Sequence, residues 1–208
     1  MILIGPYDSP FVRRVAITLR RYALPFEHRP WSVWGDADKI AAHNPLRRVP
    51  TLLLPDGAAL VETFAIIDAL DEMVGAERAL LPRSGTGRRD GLRIAALAGG
   101  LADKAVSLLY EGMLRPQPSE SWMTRCRRQI ADTLAALETD RAARPSAYWL
   151  GSSLSHADVA FTCALRFTRD AHPNLFDAAR HPALEAAARA CEQLAEFREI
   201  YQPITNVL

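Results

Sequence analysis

Apolar residues near the start of the chain change from a short unbroken run to helical spacing. Residues 2–4 form an apolar run ended by Gly5-Pro6, which predicts a short buried strand. Ser9-Pro10 predicts a helix start, because serine is a favoured N-cap and proline suits the first helical position. Apolar residues at helical spacing extend that helix to about Ala23, and residues 26–31 are expected to be extended.

A hairpin and another helix follow. Residues 36–43 carry a short helical pattern that stops before Asn44-Pro45, because the residue before a proline is pushed out of helical conformation. The β-rich runs 51–54 and 58–61 predict an antiparallel hairpin. Helical periodicity resumes over residues 63–74, with Gly75 as C-cap. The order β-α-β-α-β-β-α is typical of an α/β thioredoxin-like domain, which we assign to residues 1–76.

The rest of the chain has few strand signals and is rich in Ala, Leu and Arg. Glycine and serine make residues 77–87 the best linker. Beyond it we expect an all-α helical bundle over residues 88–208. Its helices are predicted at 88–113, 120–143, 155–170 and 182–197.

Composition excludes several classes of protein. The 25 Lys and Arg nearly balance the 24 Asp and Glu, so the formal net charge of +1 provides no broad field for nucleic acid or an anionic membrane. Three widely spaced cysteines do not form a disulfide framework or a paired zinc site, and they fit a reducing compartment. No basic leader precedes the first strand, and no apolar run is long enough to span a bilayer. We therefore expect a cytoplasmic protein without a membrane or nucleic-acid partner.

Four segments, in order and in register with these elements, together resemble the glutathione transferase superfamily over almost the whole chain. The first, Ser-Pro-Phe-Val-Arg-Arg-Val, is similar to the bacterial serine-type (theta-like) class. The four segments are Ser9 to Val15, Asn44 to Pro50 with its final Val-Pro pair, Glu62-Thr63, and Ser155 to Asp158. The resemblance implies the glutathione transferase fold and glutathione as cosubstrate.

The resemblance also implies that Ser9 is the catalytic residue. The glutathione thiol, like that of cysteine, has a pKa of about 8.5, and the thiolate is the nucleophile. A hydroxyl at the start of a helix can stabilise that anion. Two alternatives stay open: Ser9 is only a helix cap, or the hydroxyl of Tyr7 serves the thiolate, as a tyrosine does in other classes.

Five further residues are expected to bind glutathione. Val49 would offer its backbone to the cysteinyl part through a cis peptide bond to Pro50. Glu62 would pair with the γ-glutamyl ammonium, while Thr63, expected to cap its helix, would help to bind the carboxylate. Arg48 is our choice for the glycine carboxylate. The other candidates for that role are Lys39, His43 and Arg47.

Ser155 and Asp158 have the form of an N-capping box, so Asp158 is expected to serve folding and not catalysis. The histidines show no metal-ligand spacing, and no metal is expected.

The leading interpretation is a transferase that conjugates glutathione to small hydrophobic electrophiles. Thiol transfer is disfavoured because no cysteine precedes Cys126. A glutathione-dependent isomerase or reductase, or a protein that binds glutathione without conjugating it, remains possible. The family also suggests a homodimer, with the third and fourth helices at the interface and the alanine-rich run 94–105 allowing close packing.

Overall fold

The computed structural model describes residues 1–204, and their contacts divide the chain into two units. The sheet unit comprises Met1–Pro82 together with the C-terminal segment from Leu194, and the helical unit comprises Arg83–Gln193. This differs from the predicted boundaries, because the C-terminal segment belongs with the first unit. The observed linker is also shorter than the predicted linker 77–87, since the helix that follows it begins at Gly85.

The sheet unit has the predicted β-α-β-α-β-β-α order. Its strands are β1 (Ile2–Ile4), β2 (Glu27–Arg29), β3 (Thr51–Leu53) and β4 (Ala59–Val61). Its helices are α1 (Pro10–Arg21), α2 (Ala37–Ala41) and α3 (Thr63–Val74). The strands lie in the order β2-β1-β3-β4, with β1 parallel to β2 and antiparallel to β3, and β3 antiparallel to β4. The thioredoxin-like prediction is confirmed.

The core of the sheet unit follows the apolar spacing of the sequence. α1 packs against α3, and the last two residues of β1 and the inward face of α1 are fully buried. They include Leu3, Ile4, Val12, Val15, Ala16 and Leu19. A short helix, α8 (Ala195–Glu199), packs on α1 and completes this unit.

The helical unit contains α4 (Gly85–Leu114), α5 (Glu120–Ala142), α6 (His156–Ala171) and α7 (Pro182–Glu192), with a 3₁₀ turn at Pro173–Leu175. α6 is buried along most of its length and packs mainly against α4. No helix within residues 1–204 has the length and apolar content needed to cross a membrane.

One prediction about these helices needs correction. The expected helix 182–197 is two helices, because Leu194 has extended backbone (φ −69°, ψ 144°) and starts α8. The alanine-rich run 94–105 has two faces. Ile94, Ala95, Ala98, Leu101, Ala102 and Ala105 are buried within the single chain, whereas Ala96 and Gly100 are exposed. Its close packing against a partner subunit stays a prediction.

Candidate functional site

Strand register brings the predicted glutathione-binding segments to one edge of the sheet. Ile4 at the end of β1 pairs with Thr51 at the start of β3, and Thr51 pairs with Val61 at the end of β4. The chain therefore leaves β1 towards Ser9, enters β3 from Val49-Pro50, and leaves β4 into Glu62 at the same edge. Residues far apart in sequence converge there because adjacent antiparallel strands place their opposite ends together.

Ser9 is the N-cap of α1, as predicted. Its backbone is extended (φ −67°, ψ 123°), and its Oγ accepts the Val12 N–H at 3.4 Å. Pro10 occupies the first helical position, where the missing N–H costs nothing. The hydroxyl thus sits at the positive end of a twelve-residue helix.

Gly5 allows the segment before Ser9 to approach the Val49-Pro50 turn. A Cβ on Gly5 would lie 2.5 Å from Val12 Cγ2 and 2.7 Å from Val49 Cβ. Gly5 also has a φ of 126°, which a residue with a side chain rarely adopts. Only glycine fits both the close contacts and the positive φ, and its lack of a side chain lets the segment before Ser9 lie against Val49.

The Val49-Pro50 peptide bond is cis, which confirms the prediction. Asn44, fully buried, organises the turn that leads to it. Its Nδ2 donates to the Arg48 carbonyl at 2.9 Å and to Thr51 Oγ1 at 3.1 Å, while its Oδ1 accepts the Leu46 N–H at 3.0 Å. Asn44 lies in one of the segments that resemble the family, but its role is not evident from the sequence. The signal in the sequence is an asparagine directly before a proline, because asparagine side chains often accept a hydrogen bond from the backbone two residues further on and so stabilise a turn.

Glu62 connects β4 to α3 in a strained backbone conformation. Its φ of 66° with ψ 130° is uncommon for a residue other than glycine, and such strain is often found at functional sites. Thr63 is buried and is the first residue of α3, so the prediction that it caps the helix is wrong: the N-cap is Glu62. Within residues 1–204, no side chain hydrogen-bonds as the cap of α3.

The two charged residues predicted for opposite ends of glutathione are paired with each other. Arg48 Nη1 lies 3.1 Å from Glu62 Oε1, and both side chains are about half exposed. Of the other basic candidates, Lys39 is paired with Asp36 at 2.6 Å, and Arg47 with Asp38 at 2.6 Å.

His43, the remaining candidate, stacks on Trp31 with ring centroids 6.2 Å apart. The guanidinium of Arg48 is therefore the basic group that the structure places beside Glu62. Its assignment to the glycine carboxylate stays a prediction.

Tyr7 is held against β2. Its ring stacks on His28 at 3.8 Å between centroids, and His28 Nε2 donates to the Gly5 carbonyl at 2.8 Å. Burial raises the pKa of the Tyr7 phenol, with Arg20 opposing the shift in part. The phenol therefore stays uncharged at neutral pH, and the choice between Ser9 and Tyr7 as the donor to the thiolate stays a prediction.

Asp158 has the structural role expected of it. One carboxylate oxygen accepts the Ser155 N–H at 2.9 Å and the Ser155 hydroxyl at 2.5 Å, and the other accepts the Trp149 N–H at 3.0 Å. Burial raises the pKa of this carboxyl, and the three hydrogen bonds oppose that shift. Among residues 1–204 no group of three or more His, Cys, Asp and Glu side chains is placed to hold a metal ion.

Comparison with known proteins agrees with this geometry. Residues 8–73 match the family model of the glutathione S-transferase N-terminal domain, and residues 120–190 match that of the C-terminal domain. The uncharacterized GST-like protein YibF of Escherichia coli (strain K12) is 32% identical over 139 residues, which cover 66% of this chain and 68% of that protein. The chain belongs to the glutathione S-transferase family.

Two solved structures resemble this glutathione S-transferase family member over nearly its full described length. A glutathione S-transferase from Methylobacterium radiotolerans, in complex with glutathione sulfonate, has a TM-score of 0.90 and 30% identity, covering 99% of this chain and 97% of that one. A glutathione transferase family member from Pseudomonas fluorescens Pf-5 with bound glutathione has a TM-score of 0.87 and 30% identity, covering 98% and 99%. The glutathione transferase fold is thereby confirmed.

Proposed function

We propose that this protein is a cytoplasmic, serine-type glutathione transferase that conjugates the glutathione thiolate to small hydrophobic electrophiles. The observation that carries the proposal is the convergence of Ser9, the Val49-Pro50 turn and Glu62 at one sheet edge. The glutathione and glutathione sulfonate bound to the two similar structures support glutathione as the cosubstrate.

Ser9 is proposed to stabilise the thiolate. Its oxygen already accepts the Val12 N–H, but a hydroxyl can donate its hydrogen while it accepts elsewhere. A donated hydrogen bond and the positive end of α1 both favour the charged sulfur, so the thiol pKa falls below its usual value of about 8.5. More of the glutathione is then the nucleophilic anion at neutral pH.

The peptide part of glutathione would lie along the same edge. The backbone of Val49 is proposed to pair with the cysteinyl residue, next to Pro50. Glu62 would accept the γ-glutamyl ammonium, and the N–H groups at the start of α3, from Thr63 onward, would bind its carboxylate. Arg48 is proposed for the glycine carboxylate, and it must release Glu62 to reach it.

The buried cysteines support conjugation over thiol exchange. Cys126, Cys163 and Cys191 are each at most 2% exposed. Burial raises the pKa of the Cys126 thiol, and that of Cys191 to about 12. Thiol exchange needs an accessible thiolate, and neither of these two groups provides one.

The experiment is a calorimetric titration with reduced glutathione, together with thiolate absorbance as pH is varied. Wild type is compared with Ser9→Ala, and the matched control is Ser119→Ala. Ser119 caps α5 with the same geometry, its Oγ accepting the Trp122 N–H at 3.4 Å. Both variants lose a helix cap, which costs about 1 kcal/mol of stability, so the control separates capping from chemistry.

We expect wild type and Ser119→Ala to lower the pKa of bound glutathione, and Ser9→Ala to leave it near that of free glutathione. Conjugation to chlorodinitrobenzene should fall in the same variant only. Equal pKa values in all three proteins would make Ser9 only a cap. Binding without any conjugation would favour a non-catalytic glutathione-binding protein.

A homodimer is also proposed. α3 exposes two large apolar side chains, Phe64 at 45% and Met73 at 49%, and a partner subunit would cover such surface. Sedimentation equilibrium of wild type should give twice the chain mass, and a single-chain mass would contradict the proposal.

A further inference from the structure

The C-terminal segment is anchored on α1 by a buried arginine. Arg13 is only 3% exposed, and its Nε donates to the Ile200 carbonyl at 2.7 Å while its Nη2 donates to the Phe197 carbonyl at 2.9 Å. Phe197 and Ile200 are themselves buried. Hydrogen bonds from a charged group are stronger than neutral ones, so this anchor fixes α8 firmly.

Weaker contacts extend the anchor along α1. Arg21 pairs with Glu196 at 3.3 Å, and Arg20 with Glu199 at 4.0 Å. Arg20 and Glu199 are both largely exposed, and Arg21 is about half exposed although Glu196 is mostly buried, so these pairs add less to stability than a fully buried contact. The position of the segment therefore depends mainly on Arg13 and on the buried apolar side chains.

Two residues beyond the anchor, Gln202 reaches the segment that precedes Ser9. Its side-chain oxygen Oε1 accepts the backbone N–H of Tyr7 at 3.3 Å. The segment is also held from the other direction, because the Tyr7 ring stacks on His28 and the Gly5 carbonyl accepts from His28. Gln202 thus restrains the backbone at Tyr7, while His28 restrains the Tyr7 ring and the backbone at Gly5.

We propose that Gln202 is a positioning residue for Ser9: by holding the Tyr7 N–H, it fixes the backbone that aims the serine hydroxyl at the glutathione sulfur. The inference rests on the proposed function, because it concerns the same thiolate. It adds that residues near the end of the chain tune the thiolate site although they belong to none of the predicted binding segments.

Three variants test this role. Gln202→Met keeps the length of the side chain but removes the oxygen acceptor, whereas Gln202→Glu keeps an acceptor. Gln193→Met is the control, since Gln193 is exposed and lies outside the sheet unit. Three quantities are measured: hydrogen exchange of the Tyr7 amide by NMR, the affinity for glutathione, and the pH dependence of thiolate absorbance.

For Gln202→Met we expect faster exchange at Tyr7, about 2- to 10-fold weaker glutathione binding, and a raised pKa of the bound thiol. Gln202→Glu should retain slow exchange at Tyr7, and Gln193→Met should match wild type throughout. Faster exchange with unchanged thiol pKa and affinity would make Gln202 a purely structural contact and overturn the proposal.

Unchanged exchange in Gln202→Met would also overturn it, because the hydrogen bond would then restrain nothing. If wild type itself fails to bind glutathione, the proposed function is wrong and this role of Gln202 is wrong with it.

Discussion

At the scale of single residues, the Arg48–Glu62 ion pair joins two side chains that are both proposed to bind glutathione. Each side chain is about half exposed, and pairs of this kind contribute about 0–1 kcal/mol, so the ligand can replace the pair at small cost. Arg48 then has two possible targets, the glycine carboxylate or the γ-glutamyl carboxylate next to Glu62. Chemical modification of the ligand distinguishes them.

We predict that Arg48→Gln weakens binding of glutathione about 3- to 10-fold but leaves binding of its glycyl ethyl ester nearly unchanged, because the ester lacks the charge that Arg48 would meet. Calorimetry with both ligands measures the difference. Arg47→Gln is the control, since Arg47 is a neighbouring exposed arginine paired with Asp38. Equal losses for both ligands would move Arg48 to the γ-glutamyl end.

The positions of the residues at the glutathione-binding edge of the sheet could be predicted from the sequence wherever neighbouring residues alone decide them. Ser9-Pro10 is a helix start in any context, so the cap of α1 was predictable. The contact between Arg48 and Glu62 was not, because it depends on the register of β3 with β4 and on two long exposed side chains. The N-cap of α3 was predicted one position late, at Thr63, since Glu62 adopts a backbone conformation that no sequence rule expects of glutamate.

At the scale of elements, the start of α6 shows how one carboxylate supports a buried helix. Asp158 satisfies two N–H groups and one hydroxyl, and it thereby ties the chain at Trp149 to the first turn of α6. An unsatisfied buried donor costs about 1–3 kcal/mol, so the carboxylate affects stability more than its single charge suggests.

We predict that Asp158→Ala lowers the free energy of unfolding by about 3 kcal/mol or more, since three buried donors lose their acceptor. Urea unfolding followed by circular dichroism measures it. Asp132→Ala is the control: Asp132 lies on α5, is largely exposed, and is 3.7 Å from Arg128, so its loss should be within about 0.5 kcal/mol. A similar small loss for both variants would contradict the role of Asp158.

Elements bounded by strong sequence signals were predicted well, and those without such signals were not. α3 runs over the predicted residues, from Thr63 to Val74, because Gly75 ends it. The break between α7 and α8 was missed, because Gln193-Leu194 contains neither glycine nor proline. The start of α4 was placed late, because Gly85 and Gly87 favour a loop by propensity although the structure includes them in the helix.

At the scale of the whole molecule, Arg13 connects the first helix to the C-terminal segment. Nothing local in the sequence distinguishes Arg13 from the exposed arginines of the same helix, so its burial could not be predicted. Among its partners are two backbone carbonyls that lie more than 180 residues away in the sequence.

We predict that Arg13→Met destabilises the protein by about 2–4 kcal/mol, because the Phe197 and Ile200 carbonyls lose their donor. Arg20→Met should cost less than about 1 kcal/mol, since Arg20 makes an exposed pair with Glu199 and a cation–π contact with the partly exposed Phe26 ring, 5.5 Å from its centroid. Thermal unfolding of the two variants measures the difference. Equal costs would show that α8 does not depend on the buried arginine.

The return of the C-terminal segment to the sheet unit has a consequence for the order in which the protein is made. More than a hundred residues, Arg83–Gln193, separate the two parts of that unit. A ribosome adding about 5–20 residues per second needs roughly 6–20 s to synthesise them. Throughout that interval Arg13 of the nascent sheet unit lacks the Phe197 and Ile200 carbonyls that accept its hydrogen bonds in the folded protein. The sheet unit, whose first part precedes the helical unit in the chain, is therefore completed only after the helical unit has been synthesised.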